Sequence, residues 1–379
     1  MNKVLYIMRY SIDQEFNLKG KFDGQLVALK NLGYEVYYIG FDSQYLYLMH
    51  NGEKEIYGKT HYKVPTYLHT LFYRDLHRAC IKAIKENGID IIYWRAAPIF
   101  ASSYKLAEVA KKMKSTVIVE ESTFPPDAQK DGIKKLFYLY SNQFDKRFSE
   151  TVDMYVAIGE DAGGEYKGKP AINIDNGIDV NSVHVRKPVN EKDTIHILAL
   201  ASMCYWHGYD RLIKSLAEYK GNQKVIIHMV GGNDGGCLPE WKDLTHRLNL
   251  DDKVIFHGQM SGKELDEMFD LCDIGINALA MYKKNFSVTM ELKSREYIAR
   301  GLPFVCTVND PILNNTNGHW WMRIPNDSSI PNMNDIIVFA TRMKKETYHI
   351  REMRELAVNC LTWEEQYNKV FDKLKGLKE

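Results

Sequence analysis

Short apolar or β-branched runs alternate with longer mixed segments from one end of the chain to the other. The runs VLYIM (4–8), EVYYIG (35–40), DIIYWR (90–95), STVIVE (115–120) and MYVAIG (154–159) are too short for buried helices. Enough chain separates them for crossover helices, which predicts a parallel, doubly wound sheet. A polar stretch, VHVRKPVNEKD (183–193), interrupts the pattern. It then resumes with IHILALA (195–201), KVIIHMVG (224–231), KVIFHG (253–258), DIGINAL (273–279) and LPFVCTV (302–308). Strand type recurs without a fixed residue period, so the chain reads as two similar halves and not as a repeat array. The last segment, TWEEQYNKVFDKLKGL (362–377), has helical spacing. The expected organisation is an α/β domain over 1–182, a linker over 183–193, a second α/β domain over 194–361, and a closing helix over 362–379 that packs back on the first domain.

A length of 379 residues fits two cores better than one. In open parallel sheets ligands bind beyond the carboxyl ends of the strands, so two such domains are expected to face each other across an interdomain cleft. Glycosyltransferases, sugar epimerases, phosphorylases and periplasmic binding proteins all suit that outline, so the fold alone fixes no function. With 45% hydrophobic and 26% charged residues and a net charge of +1, the composition is that of a globular protein with no implied nucleic-acid partner. The six cysteines lack CxxC spacing, which predicts free thiols in a reducing compartment. The amino terminus runs straight into a strand and no run reaches the length of a membrane span, so a cytoplasmic protein is expected. Membrane contact would be peripheral. The segment KDGIKKLFYLYSNQFDKRF (130–148), where Lys134 and Lys135 accompany Phe137, Tyr138 and Leu139, suits either an anionic membrane surface or an ordinary core-packed helix.

Four stretches carry candidate chemistry. In WHGYDRL, a strand–turn–helix junction, Gly208 would let backbone N–H groups approach an anion, with His207 and Arg211 as further donors. The same spacing suits Trp206 and Tyr209 as packing and Arg211 as a solvated helix residue. In MELKSREYIARGLPFV, Lys293, Arg295 and Glu296 precede a helix stop at Gly301 and Pro303; isolated, they read as a surface charge cluster. FNLKGKFDGQ (16–25) is a βα junction at which Gly20 and Lys21 could meet phosphate, or an ordinary loop. In VEESTFPPD (119–127), Glu120 and Glu121 point to opposite sides of a strand, so at most one reaches a substrate.

Together WHGYDRLI, VIFHGQMSGKELDEMFDLCDIGINAL and LKSREYIARGLPFV resemble the carboxy-terminal domain of GT-B glycosyltransferases, specifically the family 4 branch that builds bacterial capsular, exo- and lipopolysaccharides. NLKGKFDGQLVALKNLGYEVYYIG, EESTFPPD, NIDNGIDV and TWEEQYNKV extend the resemblance over nearly the whole chain. It implies a GT-B fold of two Rossmann-like domains and a retaining transfer of a hexose-type sugar from a nucleotide diphosphate to a saccharide acceptor. By the same resemblance Glu296 accepts the ribose hydroxyls, and Lys293, Arg211 and His207 stabilise the diphosphate. Ser202, Gly208 and Gly258 join the donor site, Gly20 and Lys21 approach donor phosphate from the first domain, and Glu120 is the catalytic-side carboxylate. No metal or cofactor is implied, and the acceptor is a saccharide of the kind linked to polyprenyl diphosphate at the inner membrane face. The sequence departs from the family pattern where Val288 replaces the usual first Glu, with Glu291 nearby, and where His207 and Ala201 replace a Lys and an Arg. Those departures keep open a catalytically degenerate partner subunit; a nucleotide-sugar epimerase is the other alternative.

Overall fold

The computed structural model describes residues 2–13, 18–62, 69–126, 143–188, 193–233 and 235–377. They form two compact units, Met1–Asp175 with Trp363–Glu379, and Asn176–Thr362.

The first unit is built on strands β1 (Lys3–Ser11), β2 (Glu35–Phe41), β3 (Tyr45–His50), β4 (Glu53–Lys59), β5 (Ile91–Arg95), β6 (Thr116–Phe124), β7 (Met154–Gly159), β8 (Glu165–Tyr166) and β9 (Lys169–Asn173). They form one nine-stranded sheet in the order β4-β3-β2-β1-β5-β6-β7-β9-β8. The run from β2 through β7 to β9 is parallel, while β3, β4 and β8 pair antiparallel. Val4, Leu5 and Tyr6 of β1 are fully buried on both faces, as expected of a central strand covered by helices on each side. The antiparallel hairpin β3–β4 turns on Asn51 and Gly52, both at positive φ, a geometry that Asn-Gly favours.

Helix Trp363–Gly376 belongs to this first unit. Trp363, Gln366, Tyr367, Val370, Phe371 and Leu374 recur at helical spacing and form its buried face. Phe371 packs on Tyr34 with ring centroids 4.4 Å apart, and Tyr367 meets Tyr93 edge-on at 5.3 Å. Each such fully buried large side chain contributes about 1.5 to 3 kcal/mol.

The second unit carries β10 (Thr194–Leu200), β11 (Lys224–Val230), β12 (Val254–Gly258), β13 (Ile274–Ile276), β14 (Phe304–Cys306) and β15 (Trp321–Arg323), all parallel, in the order β12-β11-β10-β13-β14-β15. Helix Tyr209–Glu218 buries Tyr209, Leu212, Ile213 and Leu216 against this sheet, a one-sided apolar stripe. Helix Leu292–Arg300 ends at Gly301 (φ 81°), whose N–H and that of Leu302 close on Tyr297 O at 2.9 and 2.8 Å.

The second unit begins at Asn176, earlier than the polarity of the sequence suggests. Asn176 donates to Met290 O at 2.6 Å, Ile178 N–H to Leu361 O at 2.7 Å, and Val180 joins the second core. Of the expected linker, residues 183–188 are bound to that same unit: buried Arg186 donates to Cys272 O at 2.7 Å, and its N–H to Arg300 O at 3.0 Å. Residues 189–192 lie outside the described residues. So does most of the basic-aromatic segment 130–148, including Lys134, Lys135, Phe137, Tyr138 and Leu139. No helix among the described residues is long and apolar enough to cross a membrane.

Candidate functional site

In the second sheet β10 and β13 are neighbours whose following chains lead to opposite sides, to β11 and to β14. A crevice opens beyond strand ends at such a reversal of order. The chain leaving β10 forms the turn Tyr205–His207, and the chain leaving β13 forms the turn Met281–Lys284. The two segments are stitched together: Leu279 N–H donates to His207 O at 2.8 Å and Ala280 N–H to Trp206 O at 3.2 Å.

Gly208 sits at φ 61° between these turns and the helix that follows. A Cβ there would lie 2.7 Å from Ala280 Cβ and 2.9 Å from Ala280 N. Close backbone packing and the left-handed conformation therefore account for this glycine, where the sequence reading invoked approach to an anion.

Tyr209 is fully buried, its hydroxyl 3.1 Å from Ile276 O and 3.3 Å from Leu200 O. Lys293 Nζ donates to that same hydroxyl at 3.1 Å and lies 3.3 Å from Glu291 Oε2, which also accepts from Ala278 N–H at 3.2 Å. Burial pushes the Lys293 pKa down, opposed by Glu291. The His207 ring stacks on Tyr209 and its Nδ1 accepts from Cys204 N–H at 3.3 Å. Burial first, then the charges of Lys293 and Lys284, drive its pKa down to about 2, against a backbone hydrogen bond at Ser202 that raises it. The imidazole is therefore neutral, and Lys293 and His207 both contact Tyr209. Two buried acceptors nearby, Glu291 Oε1 and Asn277 Oδ1, have no hydrogen-bond partner among the described residues. Asn277 was missed by the sequence reading; its place one residue beyond the end of β13 is the signal that points to it.

Glu296 lies on the helix Leu292–Arg300 whose amino terminus carries Lys293, with Oε1 accepting from Arg300 Nε at 3.0 Å. Arg300 also pairs with Asp266 at 2.5 Å. Arg295 between them is fully buried and bidentate to Asp310, so the charge cluster read at the surface is divided between interior and site.

Several expected site residues are placed elsewhere. Arg211 is 3% exposed and donates to the carbonyls of Leu279, Ser329 (2.7 Å) and Pro325 (3.3 Å). It braces three loops, with Asp327 3.8 Å from its NH2. Gly258 ends β12 at the far edge of the sheet, where its carbonyl accepts from Gly231 N–H at 2.7 Å, away from the β10–β13 reversal. In the first unit, Gly20 is an exposed residue in the first turn of helix Lys19–Asn31, with no described protein atom within 4 Å of a built Cβ.

Glu120 and Lys21 need the same correction. Glu120 is fully buried and accepts from Tyr93 OH at 2.9 Å, Gln25 Nε2 at 3.0 Å and Lys21 Nζ at 3.4 Å, with Arg95 at 3.6 Å. Lys21 points inward to it and over the Trp363 ring, and burial lowers its pKa to about 8. Strand alternation selected one carboxylate of the Glu120–Glu121 pair for the protein interior, where it anchors a hydrogen-bond network instead of meeting substrate.

Residues 182–320 match the family model described as Glycosyl transferases group 1. A sequence comparison with curated proteins finds no match. Among solved structures, sucrose-phosphate synthase from Thermosynechococcus elongatus is similar over 100% of both chains, with a TM-score of 0.72 at 13% identity. HepE from Anabaena, in complex with UDP, has a TM-score of 0.63 at 14% identity, covering 99% of this chain and 100% of that one. The catalytic domain of starch synthase IV from Arabidopsis thaliana, bound to ADP and acarbose, has a TM-score of 0.65 at 12% identity, covering 98% of this chain and 99% of that one. The protein thus has the GT-B fold of glycosyltransferases, and its second unit is similar in sequence to the glycosyl transferases group 1.

Proposed function

We propose that the protein is a nucleotide-sugar-dependent glycosyltransferase that moves a hexose-type sugar, with retention, to a saccharide acceptor in surface polysaccharide synthesis at the cytoplasmic face of the membrane. One observation carries this reading: Lys293, neutral His207 and the amino termini of helices Tyr209–Glu218 and Leu292–Arg300 belong to the strand-order reversal of the unit that matches the glycosyl transferases group 1. HepE in complex with UDP and with UDP-glucose, and starch synthase IV with ADP, support a nucleotide diphosphate as the leaving group.

In this reading Lys293 and the helix dipoles hold the diphosphate, and their attraction grows as negative charge develops on the leaving oxygen. His207 follows the same logic. Its ring is neutral with the positive charges of Lys293 and Lys284 acting on it, and a diphosphate beside it would favour the protonated form. Glu296 keeps Oε2 for the vicinal ribose hydroxyls while Oε1 is held by Arg300. Glu291 Oε1 and Asn277 Oδ1 would take sugar hydroxyls as donors, the task left by Val288, which pairs with Asn309 in a β-bridge. Neutralisation of the leaving group is assigned to protein groups, with no metal taking part.

The test is turnover. The purified protein, given UDP-, GDP- and ADP-sugars with and without oligosaccharide acceptors, should release a nucleoside diphosphate from one donor, faster with acceptor. Epimerised donor without release would favour the epimerase reading, and no turnover of any donor would favour a degenerate subunit.

A further inference from the structure

Among Lys293, His207 and Arg211, positive charge for a diphosphate at the β10–β13 reversal is scarce. Lys293 lies 3.3 Å from Glu291, His207 is neutral, and Arg211 is turned to three carbonyls with Asp327 3.8 Å away. The chain leaving β13 carries another cation. Lys284 is the last residue of the turn Met281–Lys284, and the residues that lead into this turn donate Leu279 N–H to His207 O and Ala280 N–H to Trp206 O. The lysine therefore belongs to the segment stitched to His207.

The turn is also fixed on its other side. Asn285 closes it at φ 57°, with its N–H on Tyr282 O at 3.0 Å. Asn326 spans it: Oδ1 accepts from Tyr282 N–H at 2.9 Å and Nδ2 donates to Phe286 O at 3.0 Å. The side chain is placed as well as the backbone. Lys284 Nζ stands 4.3 Å from the centre of the Trp206 ring and 5.6 Å from that of Phe286, both half-buried, and Trp206 meets the His207 ring at 5.7 Å. Aromatic faces hold an ammonium by their quadrupoles without neutralising its charge. Lys283, one residue earlier, is exposed and has no such seat among the described residues. His207 senses the arrangement: after burial, the leading cause, the charges of Lys293 and Lys284 lower its pKa from two different segments of chain.

We infer that Lys284 is a further donor-binding residue, the cation that joins Lys293 from the β13 side in neutralising the diphosphate beside His207. The inference rests on the proposed transferase reading for the identity of the anion. Calorimetric titration of the full chain with UDP, GDP and ADP and with the matching monophosphates tests it. The nucleotide that binds the wild type should bind more tightly as diphosphate than as monophosphate. Lys284→Met should cut that preference about tenfold, the value of one charge-assisted contact, with its urea midpoint retained. Lys284→Arg, which keeps the charge and the ring contacts, should retain most of the preference. Lys283→Met removes the same charge one residue away and should leave the preference unchanged. A wild type without preference for the diphosphate, an unchanged preference in Lys284→Met, or an equal loss in Lys283→Met would overturn the inference and leave the transferase reading standing. A wild type that binds none of the nucleotides would sink the transferase reading, and the role of Lys284 with it.

Discussion

Acidification from about pH 7.5 to about pH 5.5 should destabilise both units, and the second more than the first. His77 in the first unit and His228 and His349 in the second are 1%, 4% and 1% exposed. Burial is the leading cause that lowers each, to about 3 for His77 and about 4 for His228 and His349. His228 is lowered further by His196 and His257, which lie 2.9 Å from it on either side, and His349 by Arg186. The folded pKa lies below the unfolded value of about 6.5, so the unfolded chain takes the proton first. Stability is full above about pH 6.5 and declines as pH falls towards the folded values. Over the stated interval each group should withdraw about 1.3 kcal/mol, hence roughly 1.3 from the first unit and roughly 4 from the second, where His207, held near 2 chiefly by burial, adds to His228 and His349. Urea unfolding at the two pH values, with hydrogen exchange to separate the units, measures this. Replacing His349 with Gln should remove about a third of the second unit's pH dependence. Midpoints independent of pH, or an unchanged dependence in the His349 variant, would refute the reasoning.

Gly208→Ala combines left-handed strain with contacts to Ala280 at 2.7 and 2.9 Å, and should destabilise the second unit by about 2 kcal/mol or more in urea titration; an unchanged midpoint would show that the turn relaxes freely. Arg211→Met leaves three carbonyls without their donor and should lower stability by about 3 kcal/mol, while the folded fraction keeps its nucleotide affinity; a selective loss of affinity would return Arg211 to the donor site. His207→Ala should lower kcat more than it weakens donor binding, because its interaction strengthens with charge on the leaving group; equal losses would make it a ground-state contact.

The strand pattern was legible because each parallel strand is a short apolar run, and segments such as 35–40 and 154–159 coincide with β2 and β7 almost residue for residue. The hairpin β3–β4 was missed although Asn51-Gly52 advertises it and residues 45–49 are a continuous apolar run, because its second strand, EKEIYGK, is charged and has no buried face to give a strand pattern. The domain boundary was misread for a related reason: residues 176–188 look polar, yet their backbone and Arg186 are satisfied by chain far away in sequence. Charges show the same limit. Glu120 is matched by Lys21, Gln25 and Tyr93, Arg211 by carbonyls more than a hundred positions on, and Arg295 by Asp310. Local pattern registers a charge and cannot register a distant partner that lets it be buried. Lys293 and Glu296 were singled out by motif, and motif could not register that Lys293 reaches the Tyr209 hydroxyl, a contact across 84 positions.

The central claim is that the strand-order reversal of the second unit binds the nucleotide diphosphate through Lys293 and Glu296. Its most direct test is calorimetric titration of the wild type, Lys293→Met and Glu296→Gln with UDP, GDP and ADP. One nucleotide should bind the wild type, and each substitution should weaken it at least about tenfold, for a lost charge-assisted contact of about 1.5 to 3 kcal/mol, with urea midpoints retained. Wild-type affinity in both variants would contradict the account.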